Sequence, residues 1–119
     1  MEMQQLVIAG AGPAGVSAAL YAVRMGFPPL VIHNGYGALE KAEKIENYYG
    51  LPAPVSGKGL YENGLSQLKA LNVPVFKDEL LSITYDGEYT IQTSENTYHT
   101  KALILATGTK RNTLSLKEL

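Results

Sequence analysis

Gly10, Gly12 and Gly15 stand in the run G-A-G-P-A-G directly after the apolar stretch Leu6-Val7-Ile8-Ala9. Glycines at this spacing can bring bare backbone against a phosphate. Gly10 permits the tight turn out of a strand, Gly12 lets the main chain approach a pyrophosphate with no side chain in the way, and Gly15 lets the next helix lie close to the strand. Pro13 falls in the first helical turn, where its missing N–H costs nothing, and Ala14, Ala18 and Ala22 recur with Ala19 and Val23 at helical spacing. The start of that helix presents unpaired N–H groups and a positive dipole end, which stabilise a diphosphate. A glycine-rich turn in an unrelated α/β protein would share the three glycines. The strand-turn-helix-strand context is what points to a dinucleotide.

Other polar groups in the chain are sparse in catalytic types. There is no cysteine, which removes disulfides, thiolate metal sites and dithiol redox chemistry carried by this chain. About 20 residues beyond the fingerprint, where a carboxylate would accept from the ribose hydroxyls, the chain has His33 and Asn34. Either can hydrogen-bond a hydroxyl without a carboxylate's charge-assisted strength, and His33 at a strand end reads also as a cap of the sheet. Asn47 offers a donor and an acceptor, and reads equally as a turn former ahead of Gly50 and Pro52. His99 reads as a surface strand residue with no partner signal near it, and Lys110 and Arg111 as solvated charges beyond the last strand.

The elements that must position these groups follow from pattern. Leu6–Ala9 is a buried parallel strand, Gly26 with Phe27-Pro28-Pro29 stops the first helix, and Leu30–His33 is the next strand. Residues 34–54 form a long Gly-, Tyr-, Asn- and Pro-rich loop of the kind that is usually functional. Ser56 caps a second helix whose apolar face is marked by Leu60, Leu65, Leu68 and Leu71 and which ends near Asn72-Val73-Pro74. Val75–Lys77 is a third parallel strand. Leu80–Tyr85 and Glu88–Thr93 are joined by Asp86-Gly87, a signal for a type I′ hairpin, and Ser94-Glu95-Asn96 turns the chain into Thr97–His99. Lys101–Ala106 is an apolar run suited to a strand buried on both faces. The expected fold is α/β: a Rossmann-like, FAD/NAD(P)-binding parallel sheet with a three-stranded antiparallel β-meander. Plain NAD-binding domains usually have a helix where this chain has the meander, and the substitution favours FAD.

The 119 residues amount to one domain at most, and the net charge of -1 makes no electrostatic case for nucleic acid. Apolar runs are strand-sized and the start of the chain lacks the marks of a signal peptide, so no membrane partner is expected and a cytoplasmic location is the default.

Four segments together resemble the thioredoxin reductase-like flavoproteins of the pyridine nucleotide-disulfide oxidoreductase superfamily. They are Gly10–Gly15, the loop Ile45-Glu46-Asn47-Tyr48-Tyr49-Gly50, the meander, and Ile104-Leu105-Ala106-Thr107-Gly108-Thr109. The resemblance implies that Gly10, Gly12, Pro13, Ala14 and Gly15 bind the FAD pyrophosphate, that His33 and Asn34 approach the adenosine ribose, and that Asn47 faces the flavin. It places the backbone near Val75 beside the adenine and closes Ala106, Thr107 and Gly108 over the cofactor. Thr107-Gly108 reads also as a plain strand terminator. Tyr48 and Tyr49 are candidates to cover the flavin, although aromatics in such a loop are more often packing anchors. Besides the missing acid, Tyr36-Gly37-Ala38-Leu39 stands where relatives carry Gly-Gly-Gln-Leu, and Ala38 lacks the polar contact of a Gln.

On this resemblance, residues 1–119 are the N-terminal part of an FAD-binding domain, without the NAD(P)H domain and the C-terminal FAD segment. FAD is the expected cofactor and NAD(P)H is expected only in a full-length parent oxidoreductase. No catalytic residue and no metal site is assigned, so the chain is expected to be catalytically incomplete on its own. An uncovered side of the sheet implies self-association. The alternative is a stand-alone nucleotide-binding or self-associating module without redox activity.

Overall fold

The computed structural model describes residues 3–35 and 42–107. The order of elements is β1 (Met3–Gln4), β2 (Leu6–Ala9), α1 (Pro13–Arg24), β3 (Pro29–His33), α2 (Gly57–Ala70), β4 (Val75–Lys77), β5 (Leu80–Tyr85), β6 (Tyr89–Thr93), β7 (Thr97–Thr100) and β8 (Leu103–Leu105). β4, β3, β2 and β8 form one parallel sheet in that order, and β1, β7, β6 and β5 form a second. The expected α/β class with its meander is what the chain adopts.

Three layers follow from side-chain alternation. In β2, Leu6 and Ile8 face the helices with Val16, Ala19, Tyr61 and Leu68, whereas Val7 faces the meander with Ile32, Ile91 and Tyr98. All four residues of β2 are buried, which is why the strand reads as an unbroken apolar run rather than an alternation. The small residues of α1 serve the same packing: Gly15, Ala19 and Ala22 are buried and let the helix sit low on the sheet.

Both helices end in the same way. Gly26 N–H donates to the Val23 carbonyl and Phe27 N–H to that of Ala22, closing α1 in a Schellman motif. In α2, Asn72 takes the left-handed place (φ 60) and Val73 N–H reaches the Leu68 carbonyl, so the stop expected at Asn72-Val73-Pro74 is real. The α2 start is also as expected, with Ser56 Oγ accepting from Gly59 N–H at 3.0 Å.

Four expectations need correction. β1 went unread, because a two-residue strand carries no periodicity; it pairs parallel with β7, so the meander is part of a mixed four-stranded sheet. The β5–β6 turn is not type I′: only Gly87 has positive φ, Tyr85 pairs with Tyr89, and Asp86 N–H donates to the Glu88 carbonyl across a three-residue connection. The apolar face of α2 is centred on Tyr61 (4 % exposed) and Leu68 (0 %), while Leu71 is exposed. Finally, β8 is not buried on both faces. Among the described residues it is the edge of its sheet, and Ile104 and Leu105 are 38 % and 61 % exposed.

The corner joining the two sheets is polar. Asp78, directly after β4, is nearly buried, and its carboxylate accepts from Thr93 Oγ1 (2.5 Å), Ser94 Oγ (2.7 Å) and Glu79 N–H (2.9 Å). Burial works against the charge, but these donors, with the backbone N–H of Glu95, outweigh it and hold the carboxyl below its ordinary range. Asp78 N–H in turn donates to the His33 carbonyl at 2.8 Å, so the meander is tied to the end of β3.

Candidate nucleotide site

The sheet order places β3 on one side of β2 and β8 on the other, so the chain reverses its direction of winding at β2. In such sheets the crevice beyond the carboxyl ends of the strands is the ligand site. The G-A-G-P-A-G turn occupies that point. Gly10 N–H donates to the Ile32 carbonyl at 2.7 Å, and Ala106 N–H donates to the Ala9 carbonyl at 2.7 Å, fastening the turn to both neighbours.

Each glycine of the fingerprint meets a different demand. Gly10 has φ +121, and a Cβ there would lie 1.9 Å from the Ala106 carbonyl oxygen. A Cβ on Gly15 would lie 1.9 Å from the carbonyl oxygen of Gly10 itself. Gly10, Gly15 and Ala106 are therefore one close-packed knot of backbone. Gly12 differs: nothing lies within 4 Å of where its Cβ would be. It is the N-cap residue of α1, has no side-chain cap, and its carbonyl accepts from Val16 N–H at 3.0 Å. The first turn of α1 thus opens on free space with Pro13 and Ala14 exposed, as an anion would require.

The remaining candidates are placed unequally. His33 ends β3, partly buried, with its Nδ1 2.5 Å from the Tyr61 hydroxyl of α2. Burial, with a smaller contribution from Lys77, lowers its pKa, so the ring is neutral at pH 7. Asn34 follows it, exposed. Val75 pairs in register with Val31 and packs under the helices. Ala106 joins the knot, Thr107 is exposed, and Gly108 lies outside the described residues, as do Ala38, Lys110 and Arg111.

The I-E-N-Y-Y-G loop is clamped at its base. Ile45 and Val55 form an antiparallel bridge with N–H donations of 2.7 and 3.0 Å, and Gly57 N–H reaches the Ala42 carbonyl at 2.7 Å. Asn47 is exposed on this arc. Tyr48 lines a cavity of about 170 Å³ with Gly12, Pro13, Val16, Ser17 and Tyr61, bringing the loop to the fingerprint. Tyr49 is fully exposed, so it is no packing anchor. On the meander, His99 does have neighbours: Thr90 Oγ1 at 3.3 Å and Glu88 at 3.7 Å.

Tyr61 and Lys77 are the site residues that pattern reading missed. Tyr61, Leu65 and Leu68 fall at helical spacing, and that signal was available. Lys77 could not be placed beside His33 before the β3–β4 register was known. Among the described residues, no group of His, Asp or Glu is arranged to hold a metal, and no helix is long and apolar enough to cross a membrane.

Comparison with known proteins agrees with this geometry. The chain is 31% identical over 120 residues to a thioredoxin reductase of Streptomyces coelicolor, which covers 97% of the chain and 37% of that protein. Among solved structures, a thioredoxin reductase from Gloeobacter violaceus superposes with a TM-score of 0.86 at 29% identity, over 95% of this chain and 37% of that one. One from Streptococcus pyogenes gives 0.82 at 32% identity, over 94% and 37%. The chain thus spans somewhat more than a third of the length of the relatives it matches. Residues 4–119 match the family model described as pyridine nucleotide-disulphide oxidoreductase, and the chain belongs to that family.

Proposed function

We propose that this chain is the FAD-binding portion of a thioredoxin reductase-like, NAD(P)H- and FAD-dependent oxidoreductase, the N-terminal part of its FAD domain. The observation that carries the reading is the uncapped start of α1 at the switch point, with open space over Gly12. Gly12, Ala14 and Gly15 would hold the pyrophosphate with backbone N–H groups, and Pro13 leaves the first turn without a donor to satisfy. Gly10 and Ala106 hold that backbone in place; His33 and Asn34 lie at the strand end where a ribose is met, and the backbone at Val75 takes the adenine side. Thr107 closes over the cofactor, and the amide of Asn47 supplies a donor and an acceptor to a flavin edge. A bound flavin would accept a hydride and pass electrons on. The chain has no cysteine to carry those electrons to a disulfide, so its own residues bind and orient without completing turnover.

The absorbance spectrum of the purified chain, with and without added FAD, tests this. A saturable, perturbed flavin band is expected. A free-flavin spectrum throughout, with saturable NAD(P) binding instead, would leave only the alternative of a nucleotide-binding module without redox chemistry. The exposed Ile104 and Leu105 on edge strand β8 support a second copy as partner, in a cytoplasmic protein. Light scattering that finds only monomer at tens of micromolar, roughly the range in which weak strand pairing would be populated, counts against that.

A further inference from the structure

Asn-Gly occurs twice in the chain, at Asn34-Gly35 and at Asn63-Gly64. An asparagine side-chain amide is open to attack by the backbone nitrogen of the next residue, and glycine in that place, with no Cβ to hinder the approach, makes the attack easiest. Both asparagines are exposed and both glycines half-buried, so access to water does not distinguish the two pairs. Their backbones do. Asn63 and Gly64 lie inside α2, where each N–H is directed to the carbonyl four residues back, and a Cβ on Gly64 would stand 3.1 Å from Val16 of α1. The Gly64 nitrogen cannot swing onto Asn63 without opening a packed helical turn. Asn34 and Gly35 instead lie past the last tie of β3, the His33 carbonyl that accepts from Asp78 N–H at 2.8 Å. Gly35 sits in a bend with φ +88, nothing lies within 4 Å of where its Cβ would be, and among the described residues no hydrogen bond engages its N–H.

We propose that Asn34-Gly35 is a self-modification site, which converts the Asn34 amide into a carboxylate at the strand end where an adenosine ribose is met. The Gly35 nitrogen bonds to Cγ of Asn34, the Cγ–Nδ2 bond breaks, and ammonia leaves with the Gly35 amide proton. Water then opens the cyclic imide. Attack at Cγ gives aspartate, and attack at the main-chain carbonyl gives its β-linked isomer; one water is consumed, one ammonia is released, and nothing is oxidised or reduced. A carboxylate in this place accepts from ribose hydroxyls with the charge-assisted strength that an amide lacks, so the aspartate form supplies the acid missing from the fingerprint. That consequence rests on the reading that FAD lies in the cleft, whereas the conversion itself does not.

Peptide mass spectrometry of the folded chain, followed over days at mildly basic pH, reads the conversion. The peptide carrying Asn34 is expected to gain the mass of an amide-to-acid exchange while the peptide carrying Asn63 keeps its amide, and unfolding in urea should abolish the difference. Asn34→Asp supplies the aspartate product in pure form, and flavin titration should find it binding FAD about fivefold more tightly than freshly prepared wild type. If Asn34 converts no faster than Asn63 in the folded chain, or neither converts, the site is overturned. Conversion at Asn34 with FAD bound no better by Asn34→Asp overturns the ribose role and leaves the modification and the FAD reading standing. Conversion with no FAD binding by either form supports the modification and overturns the FAD reading, and the ribose role with it.

Discussion

Replacing Gly10 and Gly12 by alanine separates the fold from the site. At Gly10 the new methyl would stand 1.9 Å from the Ala106 carbonyl oxygen and 2.4 Å from its carbon, and φ is +121. Holding an alanine in that backbone region costs about 1–3 kcal/mol. Forcing the Ala106–Thr107 backbone aside adds about 1–3 kcal/mol more. The middle of the combined range, about 4 kcal/mol, is a large part of the roughly 5–15 kcal/mol that stabilises an ordinary domain. With a urea dependence of about 2 kcal/mol per molar, the midpoint should fall by about 2 M. At Gly12, φ is -74 and nothing lies within 4 Å, so Gly12→Ala should stay within about 0.5 kcal/mol of wild type. Its methyl would instead stand in the approach of the pyrophosphate, and FAD affinity should drop by about tenfold or more. Urea unfolding and flavin titration on the same two variants give both readings. The reasoning fails if Gly10→Ala unfolds within 0.5 kcal/mol of wild type, a threshold set at about the ordinary surface effect, or if Gly12→Ala is the more destabilising.

Tyr61→Phe removes the hydroxyl that is hydrogen-bonded to His33 Nδ1 and should lower stability by about 1 kcal/mol, read as a urea midpoint shift. Asp78→Asn should change how stability depends on pH. The folded-state pKa of Asp78 lies below its unfolded value, so its contribution is present above that unfolded value and is lost as pH falls through the folded one. Acid titration monitored by circular dichroism should therefore show the wild type losing stability below about pH 4 and the variant losing less over the same window. Asn47→Ala leaves an exposed site and should not move the unfolding midpoint, while weakening flavin binding by about 0.5–1.5 kcal/mol if its amide meets the ring.

Much of the fold was legible because its signals are local. The strand-turn-helix at Leu6–Arg24, the Ser56 cap, the Asn72 stop and the meander strands each depend on residues close in sequence. Local signals do not report strand order, and so β8 was misread: Leu103-Ile104-Leu105 has the composition of a central strand but the position of an edge. The fingerprint was legible in its parts and not in its mutual contacts. Gly10 was expected to serve a tight turn, yet its nearest neighbours are backbone atoms of Ala106 and Thr107, almost a hundred residues away in sequence. His33 was visible as a substitute for an acid. That it is held by Tyr61 and flanked by Lys77 required the β3–β4 register and the seating of α2.

The amide chemical shifts of the chain, recorded as FAD is added, test the proposed site most directly. The largest changes are expected at Gly12, Ala14 and Gly15, with smaller ones at His33, Asn34 and Asn47. Changes confined to the far end of the meander, in the open cavity along Gln92–Thr97, or none at saturating FAD, would contradict it.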